Sequence, residues 1–194
     1  NTFEKLMKAI SKSLKKNDPN HLNLGIRYGY IEQLDDELLR ISKESFDALS
    51  FNCYALSPDH EKMNHALEIS GLPMIIGEYH FGTVDRGLAQ SLWQVNSQKE
   101  RGDAFQYYTE NAFAHRGLIG TGWFRWIDQN INGRTDGENY NCGFIDVTDR
   151  PYPYMVDAAI EAAKSLYEIH SGTKTPFHQA PNAVGHSPIP DLWE

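Results

Sequence analysis

Helix-forming and strand-forming segments alternate along this chain, and that rhythm restricts the available folds more than any other feature. Residues 2–16 place Phe3, Leu6, Ile10 and Leu14 on one face with lysines opposite, the spacing of an amphipathic helix. Asn17-Asp18-Pro19-Asn20 stops it, and residues 21–28 (HLNLGIRY) read as a strand. A helix over 35–44, a strand over 46–54 (FDALSFNCY), a helix over 60–70 capped by Gly71 and a strand over 73–80 (PMIIGEYH) follow. Residues 97–115 predict a longer helix, 118–126 (LIGTGWFRW) a fourth strand and 154–170 a final helix. Residues 127–150 form a Gly/Asn/Asp-rich loop with a hairpin expected around 142–147, and a tail rich in Pro, Gly and His begins at Ser171 and is expected to drape over the surface.

Such alternation predicts a parallel sheet with packed helices, and the apolar runs MIIG and ALSF suit strands covered on both faces. Four strands make either a small open α/β sheet or half of an eight-stranded barrel. A complete (β/α)8 barrel needs about 250 residues, and the chain has 194.

Hydrophobic residues at 40% and aromatics at 12% describe a globular chain and exclude a disordered one. A formal net charge of -8 disfavours nucleic acid and anionic membrane as partners. No apolar run approaches the ~20 residues of a membrane span. The opening Asn1-Thr2-Phe3-Glu4 is not a signal peptide, and the natural N-terminus is expected upstream. Cys53 and Cys142 give neither a disulfide framework nor zinc spacing.

In parallel α/β folds, functional residues gather at the C-terminal ends of strands. Those ends carry Arg27 and Tyr28, Asn52 and Tyr54, Glu78 and His80, then Trp123, Trp126 and Asp128. Glu78 is the sharpest of these. It directly follows Met74-Ile75-Ile76-Gly77, and a carboxylate at that depth must face a cleft or be paired. Gly77 would leave room beside it. A salt bridge to Arg27, Arg86 or Arg125 would explain Glu78 structurally, and the tryptophans would serve equally as core. The aromatic surroundings favour chemistry on sugars, whose C–H faces stack on rings such as Trp93, Trp123, Trp126, Tyr54 and Tyr140, while Asn52, His80, Asp128, Arg134 and Asn139 could meet hydroxyls.

Residues 75–87 (IIGEYHFGTVDRG) resemble the seventh-strand nucleophile motif of clan A glycoside hydrolases, in particular the β-agarases of glycoside hydrolase family 50. Residues 122–129 (GWFRWIDQ), 132–141 (NGRTDGENYN) and 146–154 (DVTDRPYPY) resemble that family's eighth strand and closing loop, and residues 18–25 (DPNHLNLG) and 50–54 (SFNCY) its fifth and sixth strands. The resemblance spans residues 17–170. It implies the C-terminal half, strands five to eight, of a (β/α)8 TIM barrel over 1–170, with residues 171–194 as a tail packing on it. It also implies a retaining hydrolase, exo or endo, of β-linked galactosides in agarose, needing no cofactor and secreted, periplasmic or at the bacterial cell surface. By the same resemblance Glu78 is the nucleophile, Tyr54 orients it or contacts the sugar, Trp123 floors the cleaved subsite, and His80, Asp128 and Glu138 are candidate substrate contacts; Asn52 and Trp126 join them from their places at the strand ends. The family's general acid, a Glu after an Asn at the end of the fourth strand, has no counterpart here. It is expected from outside this chain, with the N-terminal barrel half or a second copy as partner.

Other readings are weaker. Asp136-Gly137-Glu138-Asn139 does not have the spacing of an EF-hand. His170, His178 and His186 lie eight apart without an HExxH motif, so no metal is expected. Gly117, Gly120 and Gly122 run into a strand, where Trp123 would occupy a phosphate loop. The alternative to an enzyme is a non-catalytic carbohydrate-binding fragment, which the aromatic rim would also serve but which has no need of Glu78.

Overall fold

The computed structural model describes residues 1–185. The part of the tail beyond, with His186, lies outside the described residues. The chain divides into two compact units. The first comprises Asn1–Cys53, Asp59–Gly77 and Gly117–Gly122; the second comprises Tyr54–Pro58, Glu78–Arg116 and the chain from Trp123 onward.

In the first unit, α1 (Thr2–Asn17), α2 (Asp36–Ser45) and α3 (His60–Ser70) accompany a sheet of β1 (Arg27–Tyr28), β2 (Leu49–Asn52), β3 (Met74–Tyr79) and β5 (Leu118–Trp123). The last two strands end in the second unit. The sheet order is β1-β2-β3-β5. β1 and β2 pair in parallel, Arg27 opposite Ser50. The strands start level, because Leu49 N donates to Pro73 O at 2.9 Å and Met74 N to Gly117 O at 2.7 Å. The alternation read from the sequence produces the burial pattern: Leu49, Phe51, Met74 and Ile76 are fully buried. Helix starts are set by side-chain caps. Asp35 accepts from Leu38 N at 2.8 Å, and Asp59 from Glu61 N at 2.9 Å and Lys62 N at 3.2 Å.

Two expectations for this unit are corrected. The first strand is two residues long, not eight. Asn23 N donates to the Asp47 carboxylate at 2.8 Å and Asn23 Nδ2 to Ser45 O at 3.1 Å, and Gly25 turns the chain at a φ of +74°. Residues 21–26 are thereby held by loop contacts outside the ladder. The apolar face of α1 is also rotated from the expected one. Met7 is its buried anchor, packed with Ile41 and Phe46 and flanked by Phe3 and Leu72, while Leu6, Ile10 and Leu14 stay 53%, 43% and 46% exposed.

The second unit is built on α4 (Gln98–Phe113) packed against α5 (Pro153–His170), with β4 (Trp93–Gln94) pairing antiparallel to β6 (Val184–Gly185). The hairpin expected at 142–147 does not form. Isolated bridges tie that loop instead, Ile127 to Ile145 in parallel and Ile145 to Pro151 antiparallel. The beginning of the tail is fastened to α4, Phe177 N donating to Glu110 at 2.7 Å and Asn111 Nδ2 to Phe177 O at 3.0 Å.

Candidate active site

The apolar run of β3 delivers Glu78 to the end of the strand, half-buried. Gly77 before it leaves room for the Arg27 side chain in the first unit, which a Cβ would displace, and for Asn52 Oδ1 at 3.4 Å from that position. Asn52 closes β2 beside this glycine.

Glu78 itself and the groups that follow belong to the second unit. The Tyr54 hydroxyl donates to Glu78 Oε2 at 2.7 Å. Burial pushes the Tyr54 phenol well above its ordinary range, and the hydrogen bond to Glu78 and the charges of Glu78 and Glu138 push the same way. The phenol is therefore a permanent donor. Its ring stands edge-on to His80, centroids 4.9 Å apart. His80 is 1% exposed. Its Nε2 accepts from Leu92 N at 3.1 Å, which puts the proton of the neutral ring on Nδ1. Burial lowers its pKa to about 3, against a smaller opposing effect of the Phe124 carbonyl.

β5, next to β3 in the sheet, brings up Trp123, and Phe124 N donates to Tyr79 O at 2.9 Å. The Trp123 indole stands perpendicular to Tyr79 at 5.1 Å and donates through Nε1 to Cys142 O at 2.7 Å. The peptide between Phe124 and Arg125 is cis. Trp126 is 68% exposed and stacks on Phe144 at 5.8 Å. Glu138 accepts from Gln129 Nε2 at 2.7 Å and pairs with Arg134 at 3.2 Å. The hydrogen bond to Asp136, with the charge of Glu138 behind it and a smaller effect of Glu78, keeps the Arg134 guanidinium protonated. A cleft of about 480 Å³ is lined by Ala89, Gln90, Asp136, Gly137, Glu138 and Tyr140.

The structure thus brings Tyr54 onto Glu78 and leaves Trp123 and Glu138 partly accessible. His80 and Asp128 are placed differently from these. Both were expected to touch substrate, and both are buried. His80 supports the Tyr54 ring from behind. Asp128, 4% exposed, accepts from Asn141, Gly143 N and the Tyr152 hydroxyl. Arg101, Asn141 and Gln129 were missed. Arg101 had a signal: a charge at position 101 falls on the same helical stripe as Phe105, Tyr108 and Ala112, all buried. Among the described residues no group of three or more His, Cys, Asp or Glu is arranged to hold a metal ion, and no helix is long and apolar enough to cross a membrane.

No family model matches the chain. Two curated proteins of Vibrio sp. (strain JT0107) do. β-Agarase A is 36% identical over 166 residues, 82% of this chain and 16% of its own length. β-Agarase B is 34% identical over 170 residues, 84% of this chain and 17% of its own length. The crystal structure of an agarase, AgWH50C, superposes with a TM-score of 0.81 at 36% identity, over 86% of this chain and 26% of that one. The chain therefore spans about one sixth of the length of the curated relatives it matches.

Proposed function

We propose that this chain belongs to the β-agarases of glycoside hydrolase family 50 and carries the nucleophile side of a retaining hydrolase of β-galactosidic linkages in agarose-type polysaccharide. The observation that carries this reading is the 2.7 Å hydrogen bond from Tyr54 to one oxygen of Glu78. It holds Oε2 and orients the carboxylate, so that Oε1 is the atom that attacks the anomeric carbon. Because the phenol keeps its proton, it holds Oε2 in the glycosyl-enzyme and stabilises the carboxylate as it is released. Trp123 offers its indole as the floor under the sugar. Trp126 presents a second ring to the polysaccharide, and Asn52 and Glu138 offer polar contacts. His80 and Asp128 act one layer behind, by holding rings and loop.

In this reading β1, β2, β3 and β5 are strands five to eight of the barrel. Residues 1–170 form its C-terminal half, and the tail begins at Ser171. The general acid, which a retaining enzyme needs about 5–5.5 Å from the nucleophile, comes from outside this chain, on the N-terminal barrel half or a second copy. A bacterial enzyme meeting a polymer of this kind acts outside the cytoplasm. No cofactor enters the chemistry. A second reading, a non-catalytic carbohydrate-binding segment, is favoured only by the exposure of Trp126.

The test is covalent trapping. A 2-deoxy-2-fluoro galactoside carrying a good leaving group, given to the full-length protein, labels Glu78, and Glu78→Gln abolishes both labelling and agarose hydrolysis while agaro-oligosaccharide binding persists. Label on another carboxylate overturns the nucleophile assignment. Binding without any label supports the second reading.

A further inference from the structure

Arg101 is 0% exposed, a full charge inside the second unit. Burial alone pulls its pKa down, while the nearby Asp128 carboxylate and Tyr152 act to keep it charged. Placing a guanidinium there is costly unless its donors are used. Nη1 donates to Asn141 O at 3.1 Å, Nη2 donates to Gly143 O, and the guanidinium lies over the Tyr152 ring at 4.4 Å.

The segment receiving this fork is fixed from its other sides as well. Asp128 Oδ1 accepts from Gly143 N at 2.7 Å, and Asp128 Oδ2 accepts from Asn141 Nδ2 at 2.8 Å and the Tyr152 hydroxyl at 2.6 Å. Asn141 Oδ1 accepts from Gln98 Nε2 at 2.7 Å and Thr83 Oγ1 at 2.9 Å. The carbonyls of residues 141 and 143 thus both serve Arg101. In an extended segment the carbonyl between them points the opposite way, and that carbonyl, Cys142 O, is the one that receives Trp123 Nε1 at 2.7 Å.

We propose that Arg101 is a positioning residue for Trp123: by spanning the carbonyls of Asn141 and Gly143 it sets the direction of Cys142 O and thereby the tilt of the indole that floors the sugar site. The inference rests on the reading of Trp123 as that floor. A rigid two-pronged donor suits the task, because it fixes two acceptors at a set separation. Lysine has the charge, but its three donors radiate from one nitrogen, so it does not hold two carbonyls at the fixed separation of a guanidinium fork. An apolar side chain would fill the space without orienting anything.

A double-mutant cycle on the full-length protein tests this, with kcat and KM measured on an agaro-hexasaccharide and unfolding followed by calorimetry. Arg101→Lys is expected to raise KM about tenfold, the scale of one lost orienting hydrogen bond, with a smaller change in kcat. Trp123→Phe keeps an aromatic ring but lacks the N–H, so in that background Arg101→Lys should change KM less than about twofold, a non-additivity that a purely structural residue would not show. Tyr152→Phe, which removes only the hydroxyl held by Asp128, follows the same pattern with a smaller effect and takes the place of Arg101→Lys if that variant does not fold. Equal KM effects in both backgrounds, or an unchanged KM in Arg101→Lys, overturn the inference alone. An unchanged KM in Trp123→Phe overturns the reading of Trp123 on which it stands.

Discussion

In its proposed role beside Glu78, Tyr54 depends on a phenol that does not ionise. Burial and the neighbouring carboxylates keep its proton in place across the working pH range, so the 2.7 Å bond to Oε2 is always a donation to the carboxylate. Tyr54→Phe removes that donor without changing the ring's packing on His80. Steady-state kinetics should show kcat reduced about 10²-fold, in the range for one electrostatic donor at a reacting group, with KM nearly unchanged. An unchanged kcat would detach Tyr54 from the chemistry. His80 supports that ring in its neutral form. Its folded pKa of about 3 lies below the ordinary value of 6.5. Above pH 6.5 both folded and unfolded chains hold it neutral and it costs nothing. Between pH 6.5 and 3 only the unfolded chain takes up the proton, so stability falls by about 1.4 kcal/mol per pH unit as pH drops. Urea unfolding between pH 7 and pH 4 should therefore weaken more steeply in the parent than in His80→Gln, and parallel curves would contradict a neutral buried ring. At this scale the sequence showed Glu78 at the end of an apolar strand, which is where β3 carries it. It did not reveal that His80 and Asp128 turn inward, since position at a strand end says nothing about which way a side chain faces once loops close over it.

Elements were legible where periodicity carried them and not where loop chemistry did. The helices at Asp36–Ser45, His60–Ser70, Gln98–Phe113 and Pro153–His170 sit close to the expected ranges because their spacing and caps agree. The first strand shrank because residues 21–26, though alternating in the manner of a strand, contain a glycine whose positive φ breaks the extended path and an asparagine committed to Asp47 and Ser45. On α1 the helical pattern was right and the buried stripe wrong. Leu6, Ile10 and Leu14 look like a core face, yet Met7 takes that place, and composition alone cannot rank two neighbouring apolar stripes. The 142–147 loop was misread for a related reason: the donors and acceptors of a hairpin are there, but Asp128 and Arg101 capture them. Gly25 gives an element-scale test. Alanine there would need a positive φ and would place its Cβ 2.6 Å from the Phe46 ring. Gly25→Ala should lower stability by about 1–3 kcal/mol, read as a shift of the urea midpoint at constant slope, while Gly71→Ala, with the same backbone sign but nothing within 4 Å, should cost less. Equal losses at the two sites would mean that packing on Phe46 contributes nothing.

For the molecule as a whole, the exposed features converge on association. β1 and β5 stand at the two ends of the sheet order, so each has one side without a neighbouring strand among the described residues. Leu22, Leu24 and Ile26 leading into β1 are 75%, 46% and 36% exposed, and the Leu6, Ile10, Leu14 stripe of α1 adds to them. Edges of this kind pair readily, and apolar side chains grouped along one segment and one helix face of a soluble chain mark surface that is normally covered. The chain expressed alone should therefore elute and scatter light as a dimer or larger species at micromolar concentration. Charges placed on the exposed stripe of α1 are the discriminating change: Leu6→Lys together with Leu14→Glu should shift the population towards monomer without unfolding it, because neither side chain lies in the buried cluster of Met7, Ile41 and Phe46. The isolated chain should also hydrolyse agarose poorly. With the acid outside this chain, as proposed, loss of general acid–base assistance costs about 10²–10⁴-fold, and lost positioning of the sugar costs more. Mixing it with a separately expressed N-terminal portion of the same protein should restore activity if that portion carries the acid, and restoration should fail when Glu78→Gln is used in the mixture. A monodisperse monomer that cleaves agarose at full rate unaided would overturn both the association and the division of the two carboxyl groups between segments.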